Sequence, residues 1–486
     1  MKKFIHLAIV LLVMQSCAQK DSSANFDSEI NTIENGLITS IVIEGEKPVT
    51  YSIEERMDFY KVPGMSLAIV KNGELHWAKG YGMANTNDSI EVTSTTLFQA
   101  GSISKPIAAL AALKLAEEGK LDLDTDVNTY LKDWKVEDNE FTKDEKVTVR
   151  RLLTHTAGMT VHGFPGYKPT DTFPSITQVL NGKGNTPRIF VDTRPDSIWR
   201  YSGGGYTVME KVVEDISGMP LEDYLEANIL NPMEMQNSTY AQPLPKEFHN
   251  EVSAAYDYEG NIIEGLWHNY PEQAAAGLWT TPTDLAKYYS EVYNINNGKP
   301  DGVLSKTTID KMLTKHKNNW GLGPAINDEG EALKFGHGGK NAGFTNNMVG
   351  FVNSGDAIIV MTNADNGGSL VEEIIRSASQ YYDWNLAEPR TIRLAAPSDY
   401  DLNPLLGKYL YTEEIPDIGK YYVHLSRDGE QLIIDNPNTG ERDVMRAMDA
   451  LSFIDVSDGD EMRFTKTKDN IGFLFNNRFQ FYKVEE

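Results

Sequence analysis

Apolar and polar positions alternate through "GMSLAIVKNGELHWAKGYG", where Met65, Leu67 and Ile69 fall on one side and Asn72-Gly73 interrupts the run. A period of two sets one face of a strand against a core. Asn-Gly supplies the positive φ angles of a two-residue type I′ turn, so this stretch predicts a β-hairpin. In "LFQAGSISKPIAALAALKLAEEGKLDL" the pattern loses its polar face: Ile107, Ala108, Leu110, Ala111, Leu113 and Leu115 cover most sides of a helix. That predicts a helix buried nearly all round and stopped near Gly119. "VTVRRLLTHTAGM" reads as a short helix capped by Thr148 and ended near Gly158, and "YTVMEKVVEDISGMPLEDYLEANIL" as two helices parted at Gly218 and Pro220. From Leu333 the period returns to two, with a second hairpin turned at Ser354-Gly355 and a helix over "VEEIIRSASQYYDW". Strands, then helices, then strands predict an α+β fold: an antiparallel sheet flanked by helices, with a mainly helical subdomain.

The two ends of the chain differ from this middle. Pro389, Pro397 and Pro404 recur as in a linker, and beyond them "KYYVHLSRDGEQLIID" and "NIGFLFNNRFQFYKV" alternate with period two. Residues 400–486 are therefore expected to form a small all-β domain, a barrel or a sandwich, after a main domain over 48–390. At the other end Lys2 and Lys3 precede an apolar run, Phe4 to Met14, too short to span a bilayer core that needs about 20 residues. It fits the h-region of a secretory signal. Cys17 follows, the only cysteine in the chain. Residues 1–17 are read as a lipoprotein signal peptide with lipid on Cys17, and residues 18–47 as a tether and linker ending in a short helix. Export to the periplasm or outer membrane, with a membrane link through that lipid alone, follows as an expectation.

Charge narrows the partners. The 486 residues carry a formal net charge of -25, which argues against nucleic acid and against electrostatic binding to anionic lipid. A single cysteine excludes an intramolecular disulfide or a Cys-ligated metal in the mature chain. "LDLDTDV" offers Asp122, Asp124 and Asp126 at alternate positions, but an EF-hand would want Gly at Val127 and Glu at Asp133, so solvated loop acids are the simpler reading. No H-E-x-x-H, Walker A or G-x-S-x-G pattern occurs. No cofactor or metal is called for, and the sequence does not set the oligomeric state.

The chemistry concentrates on Ser102 and Lys105, three apart at the head of the apolar helix, where they face one cavity a turn apart. Serine attacks a carbonyl only once a base takes its proton, and lysine serves as that base only when burial or a neighbouring cation lowers its pKa. The helix start also offers free amides to an oxyanion. A serine there is equally an ordinary N-cap, and the tetrapeptide alone does not decide between the two.

"WRYSGGGYTVMEKV" and "FGHGGKNAGF" do. With "FQAGSISKP" and "LLTHTAGM" they resemble the serine β-lactamase and penicillin-binding-protein-like hydrolases, especially their class C side, over roughly residues 50 to 385. The resemblance implies a β-lactamase-like fold, often followed by a lipocalin-like barrel. It implies Ser102 as the acylated nucleophile, with Lys105 and Tyr201 sharing the proton work, Tyr201 as phenolate or as relay. His337 stands where the family usually has lysine, touching Tyr201 and orienting substrate. Gly338 and Gly339 let the strand approach substrate, and the backbone amides of Ser102 and Lys340 form the oxyanion hole. His155 and His162 lie in a structural loop beside the site. In the second motif Gly203 replaces the family's asparagine, which contacts the substrate amide. The expected substrate is a small-molecule ester, or a short peptide or amide, with poor β-lactam turnover. The alternatives are a β-lactamase or D-alanyl peptidase, and a degenerate relative that binds cell-wall peptide without turnover.

Overall fold

The computed structural model describes residues 26–300, 302–413, 419–437, 440, 442–466 and 470–484. Cys17 and the expected signal lie outside them. The chain divides into two compact units, one spanning Glu54–Val371 and the other formed by the residues before and after it.

The larger unit is built on a seven-stranded antiparallel sheet. Its spatial order is Ile90–Glu91, Glu74–Asn85, Gly64–Lys71, Ala357–Thr362, Phe344–Phe351, Lys334–Asn341 and Ala325–Asn327. The first hairpin and the second thus meet edge to edge through Gly64–Lys71 and Ala357–Thr362, two strands far apart in sequence. These central strands are buried on both faces, which is why "AIIVMT" is continuously apolar rather than alternating. Asn72 and Gly73 adopt φ of 52° and 75°, as a type I′ turn demands. The helix Pro282–Asn296 packs on the sheet, while Ser104–Glu117, Gly203–Ser217, Leu221–Leu225 and Gln273–Ala276 pack on one another as the helical part. Ser104–Glu117 buries all its sides, as its sequence predicts.

One edge of the sheet prepares the site. Pairing with Ala325–Asn327 ends at Gly336, so the outer edge of His337–Asn341 has no strand neighbour among the described residues. The turn Gly101–Ile103 packs there instead.

In the second unit, the sandwich-or-barrel alternative resolves to a closed eight-stranded barrel over residues 407–483, sealed where Gly407–Tyr411 pairs with Phe479–Lys483. Within residues 26–47 a short helix runs over 26–34, as expected, but the stretch also carries the strand Ile41–Ile43, which pairs in parallel with Arg390–Ile392 and was not expected in a tether. The scattered apolar residues of that stretch explain the difference: Ile33, Leu37, Ile38 and Ile41 are all buried.

Candidate active site

Ser102 does not cap the long helix. It lies in a single tight turn, Gly101–Ile103, that runs straight into Ser104–Glu117, and the position before that helix is Ile103, with no side-chain cap. Gly101 has φ of 56°, and a Cβ there would lie 2.5 Å from the Lys340 amide nitrogen. Only glycine meets both conditions, and its presence brings the backbone of Lys340 against the turn that carries Ser102. Ser104 locks the turn from behind: its hydroxyl donates to the Gly101 carbonyl at 2.6 Å and accepts from the Leu278 amide at 3.0 Å.

Lys105 is fully buried, with Nζ 3.0 Å from Ser102 Oγ and 2.7 Å from the Ala275 carbonyl oxygen. Burial alone brings its pKa down from 10.5 to about 7, because an ammonium enclosed there loses its hydration. Nζ also lies 5.0 Å from the ring centre of Tyr201 and 5.7 Å from that of Tyr206.

Tyr201 directly precedes the helix Gly203–Ser217. Ser202 caps that helix, accepting from the Gly205 amide at 2.9 Å while donating to the Thr160 carbonyl at 2.8 Å. Burial pushes the Tyr201 phenol well above its usual range; the nearby Ser102 hydroxyl opposes this without a hydrogen bond of ordinary geometry. A Cβ on Gly203 would come within 3.0 Å of the Phe164 ring and of the His162 carbonyl oxygen. The space into which the family's asparagine would start is already occupied.

His337 is buried on the sheet edge, its ring centre 6.1 Å from that of Tyr201. Its Nδ1–H donates to the Gly338 carbonyl at 2.5 Å, which leaves a lone pair on Nε2, and Nε2 has no partner among the described residues. Burial, aided by Lys105, lowers its pKa to about 3, so the imidazole is neutral at physiological pH. Gly338 and Gly339 differ. A Cβ on Gly339 would strike the Ala100 carbonyl oxygen at 1.9 Å, whereas one on Gly338 would meet nothing nearer than 3.8 Å. Gly339 is thus required by packing within the protein. The Lys340 side chain bonds the Asp365 carbonyl at 2.5 Å and the Tyr258 hydroxyl at 3.2 Å, while its backbone lies against the Gly101 turn.

Several groups around Ser102 escaped the sequence reading, and two histidines it placed beside the site take defined positions. The Ala275 carbonyl comes from the short turn Gln273–Ala276, which "QAAAGLW" does not announce. Trp320 stands perpendicular to His337 at 5.3 Å and edges Tyr201 at 5.9 Å. His155 is a clamp: it lies 4.3 Å from the Tyr201 ring, its Nδ1 accepts from the Ser202 amide at 3.1 Å, and burial holds its pKa well below 6.5. His162 flanks the other side of Tyr201 at 4.9 Å. Just before the Gln273–Ala276 turn, Glu272 is enclosed with no partner for either carboxyl oxygen among the described residues, and burial raises its pKa to about 8. Outside the site, Asp124 is held by Arg150 at 2.7 and 2.8 Å, which accounts for one of the three alternating acids.

The fold agrees with solved structures: an octameric penicillin-binding protein homologue from Pyrococcus abyssi superposes with a TM-score of 0.61 at 23% identity, covering 89% of this chain and 98% of that one. Among curated proteins, the putative penicillin-binding protein PbpX of Bacillus subtilis is 28% identical over 308 residues, 62% of this chain and 71% of the relative. Penicillin-binding protein 4 of Amycolatopsis lactamdurans is 24% identical over 386 residues, 73% of this chain and 96% of its own. Protein flp of Staphylococcus aureus (strain N315) is 24% identical over 255 residues, 51% of this chain and 49% of its own, so the chain spans about half the length of that relative. The sequence profile described as Beta-lactamase matches residues 51–381. That stretch contains the sheet, the helices and every side chain placed around Ser102, and the chain belongs to the Beta-lactamase family.

Proposed function

We propose that this protein cleaves esters or amides through an acyl-enzyme on Ser102, with Lys105 as the base that activates it. The observation that carries the reading is the 3.0 Å approach of Lys105 Nζ to Ser102 Oγ, combined with burial that brings the amine to about 7. In its neutral form the amine donates one N–H to the Ala275 carbonyl and offers its lone pair to the Ser102 hydroxyl. The serine oxygen attacks the substrate carbonyl as its proton passes to Nζ, and the amides of Ser102 and Lys340 receive the oxyanion. Tyr201, kept as a phenol by its surroundings, relays a proton to the leaving group rather than acting as a phenolate. The leaving alcohol or amine departs protonated, and water attacks the acyl-serine by the reverse path.

Two features favour neutral esters and amides over β-lactams. His337 offers an acceptor at Nε2 where a lysine would offer a cation, so it holds a substrate N–H or O–H and gives a carboxylate nothing to bind. Gly203 supplies no side-chain amide. A hydrogen bond to a charged group is worth roughly 1.5–3 kcal/mol, so its loss costs about ten- to a hundredfold in preference. Short peptides and amides, including those with a D-residue, remain within reach. A fluorophosphonate should label the wild type and leave Ser102→Ala untouched; labelling that survives the substitution would refute the nucleophile. Nitrophenyl esters and aminoacyl anilides should outpace a chromogenic cephalosporin, and the reverse order would restore a β-lactamase reading.

Export and lipid attachment at Cys17 rest on the sequence pattern, and they would place the hydrolase at the periplasm or outer membrane. Labelled fatty acid should enter the wild type and be lost in Cys17→Ala. Equal incorporation in the two would refute the anchor.

A further inference from the structure

Lys105 is aimed by a backbone oxygen. Its Nζ donates to the Ala275 carbonyl at 2.7 Å, so the place of that carbonyl sets how the amine meets Ser102. Ala275 lies in Gln273–Ala276, a helical turn of four residues, too short to hold its own shape. Side chains from elsewhere hold it instead. Asn341 donates to the Ala276 carbonyl at 3.0 Å, and just beyond the turn the Ser104 hydroxyl accepts from the Leu278 amide at 3.0 Å. On the other side the Ala274 amide donates to Oε2 of Glu210 at 2.8 Å. The first N–H groups of a helical turn have no partner inside it, and Ala274 and Glu210 are both buried, so this bond replaces one that water cannot supply.

Glu210 stands on Gly203–Ser217, the helix entered directly after Tyr201 and Ser202. One side chain therefore ties the helix behind Tyr201 to the turn that aims Lys105. We propose, resting on the reading of Lys105 as the base, that Glu210 is a positioning residue for acylation: through the Ala274 amide it fixes the Ala275 carbonyl, and through that carbonyl it aims Lys105 Nζ at Ser102 Oγ. Its protonation suits the task. Burial, with Glu214, Glu272 and Glu222 facing it, holds the Glu210 carboxyl well above the usual range, against the opposing effect of the Ala274 bond, and Tyr240 faces it as a neutral phenol. A neutral carboxyl accepts the amide without adding a negative charge that would favour the ammonium form of Lys105. Tyr201, Tyr206, His155 and His337 face Lys105 itself, and burial keeps all four uncharged at pH 7.

The pH dependence of nitrophenyl ester acylation tests the proposal in the full-length wild type, Glu210→Gln, Glu210→Leu, Lys105→Met and the double variant Glu210→Leu/Lys105→Met. Glutamine copies the protonated acid and keeps an acceptor for Ala274, so its rate should stay within about threefold of the wild type, with the midpoint still near 7. Leucine removes the acceptor, and the plateau should fall about ten- to a hundredfold, as expected for a misplaced catalytic group. Its midpoint should also drop by about half a unit or more, because a weakened bond to the Ala275 carbonyl no longer favours the ammonium. In the Lys105→Met background the same leucine should change the residual rate by less than about twofold, since its effect travels through the amine. Should Glu210→Leu fail to unfold cooperatively in urea, Glu210→Ala replaces it with the same expected results. A folded leucine variant with the plateau and midpoint of the wild type would overturn the proposal. So would a glutamine variant as slow as leucine, or a leucine effect undiminished in Lys105→Met. A wild-type rate in Lys105→Met alone would overturn the reading of Lys105 as the base, and this proposal with it.

Discussion

Around Ser102 the ionisable side chains are enclosed and largely uncharged, whereas at the barrel mouth carboxylates crowd together at the edge of solvent. His337, His155 and the phenol of Tyr201 are neutral at pH 7 because burial penalises their charged forms, and Lys105 is poised between its two states. In the barrel, Asp443, Asp458 and Asp460 share one rim. The contrast teaches what each place is suited to. A site of neutral groups can pass a proton internally without a large solvation change, while acids gathered at a rim over aromatic rings stand at the edge of solvent.

The first way to break the comparison is to remove the poised base. Lys105→Met should lower the rate of fluorophosphonate labelling by about 10²- to 10⁴-fold at pH 8, the usual contribution of a positioned base. A rate within fivefold of the wild type would show that Ser102 is activated by something else.

Burial also makes a prediction about stability. Glu272 is raised from 4.5 to about 8, so the stability of its protonated form is fully present below 4.5 and is lost as pH rises through 8. At about 1.4 kcal/mol per pH unit the full loss is roughly 5 kcal/mol. Glu272→Gln should therefore match the wild type near pH 5 and exceed its unfolding free energy by several kcal/mol near pH 9, read from urea unfolding. A difference independent of pH would mean that Glu272 is ionised and paired.

The two glycines of the third motif sharpen the account at smaller scale. Gly339→Ala drives a methyl into the Ala100 carbonyl and should cost about 3 kcal/mol, at the upper end of overpacking. Gly338→Ala enters open space on an extended strand and should change stability by less than about 0.5 kcal/mol. Equal costs in urea unfolding would refute the close contact between the strand edge and the Ser102 turn.

What the sequence made legible follows from how local each signal is. Both hairpins, the enveloped helix and the Thr148 cap are fixed by neighbours within a few residues, and each appears where the pattern puts it. Ser102, Lys105, Tyr201 and His337 were nameable because three short motifs carry them, and the fold brings them together. The Ala275 carbonyl, Trp320 and Glu272 act through position alone, and no residue type or spacing marks a backbone oxygen or an enclosed acid. The strand Ile41–Ile43 gives no local sign, because the apolar side chains around it are sparse and its parallel partner lies some 350 residues away. The His155 clamp lay within a motif, but its role depends on ring geometry.

The central claim is that a neutral Lys105 activates Ser102, and the pH dependence of acylation tests it most directly. The rate of nitrophenyl ester acylation should rise about tenfold per pH unit below about 7 and level above it, since the protonated amine cannot accept the serine proton. The midpoint should stay in place in His337→Gln, because that imidazole does not titrate near neutrality. A rate that continues to climb toward pH 10, or a midpoint that vanishes with His337, would contradict the account.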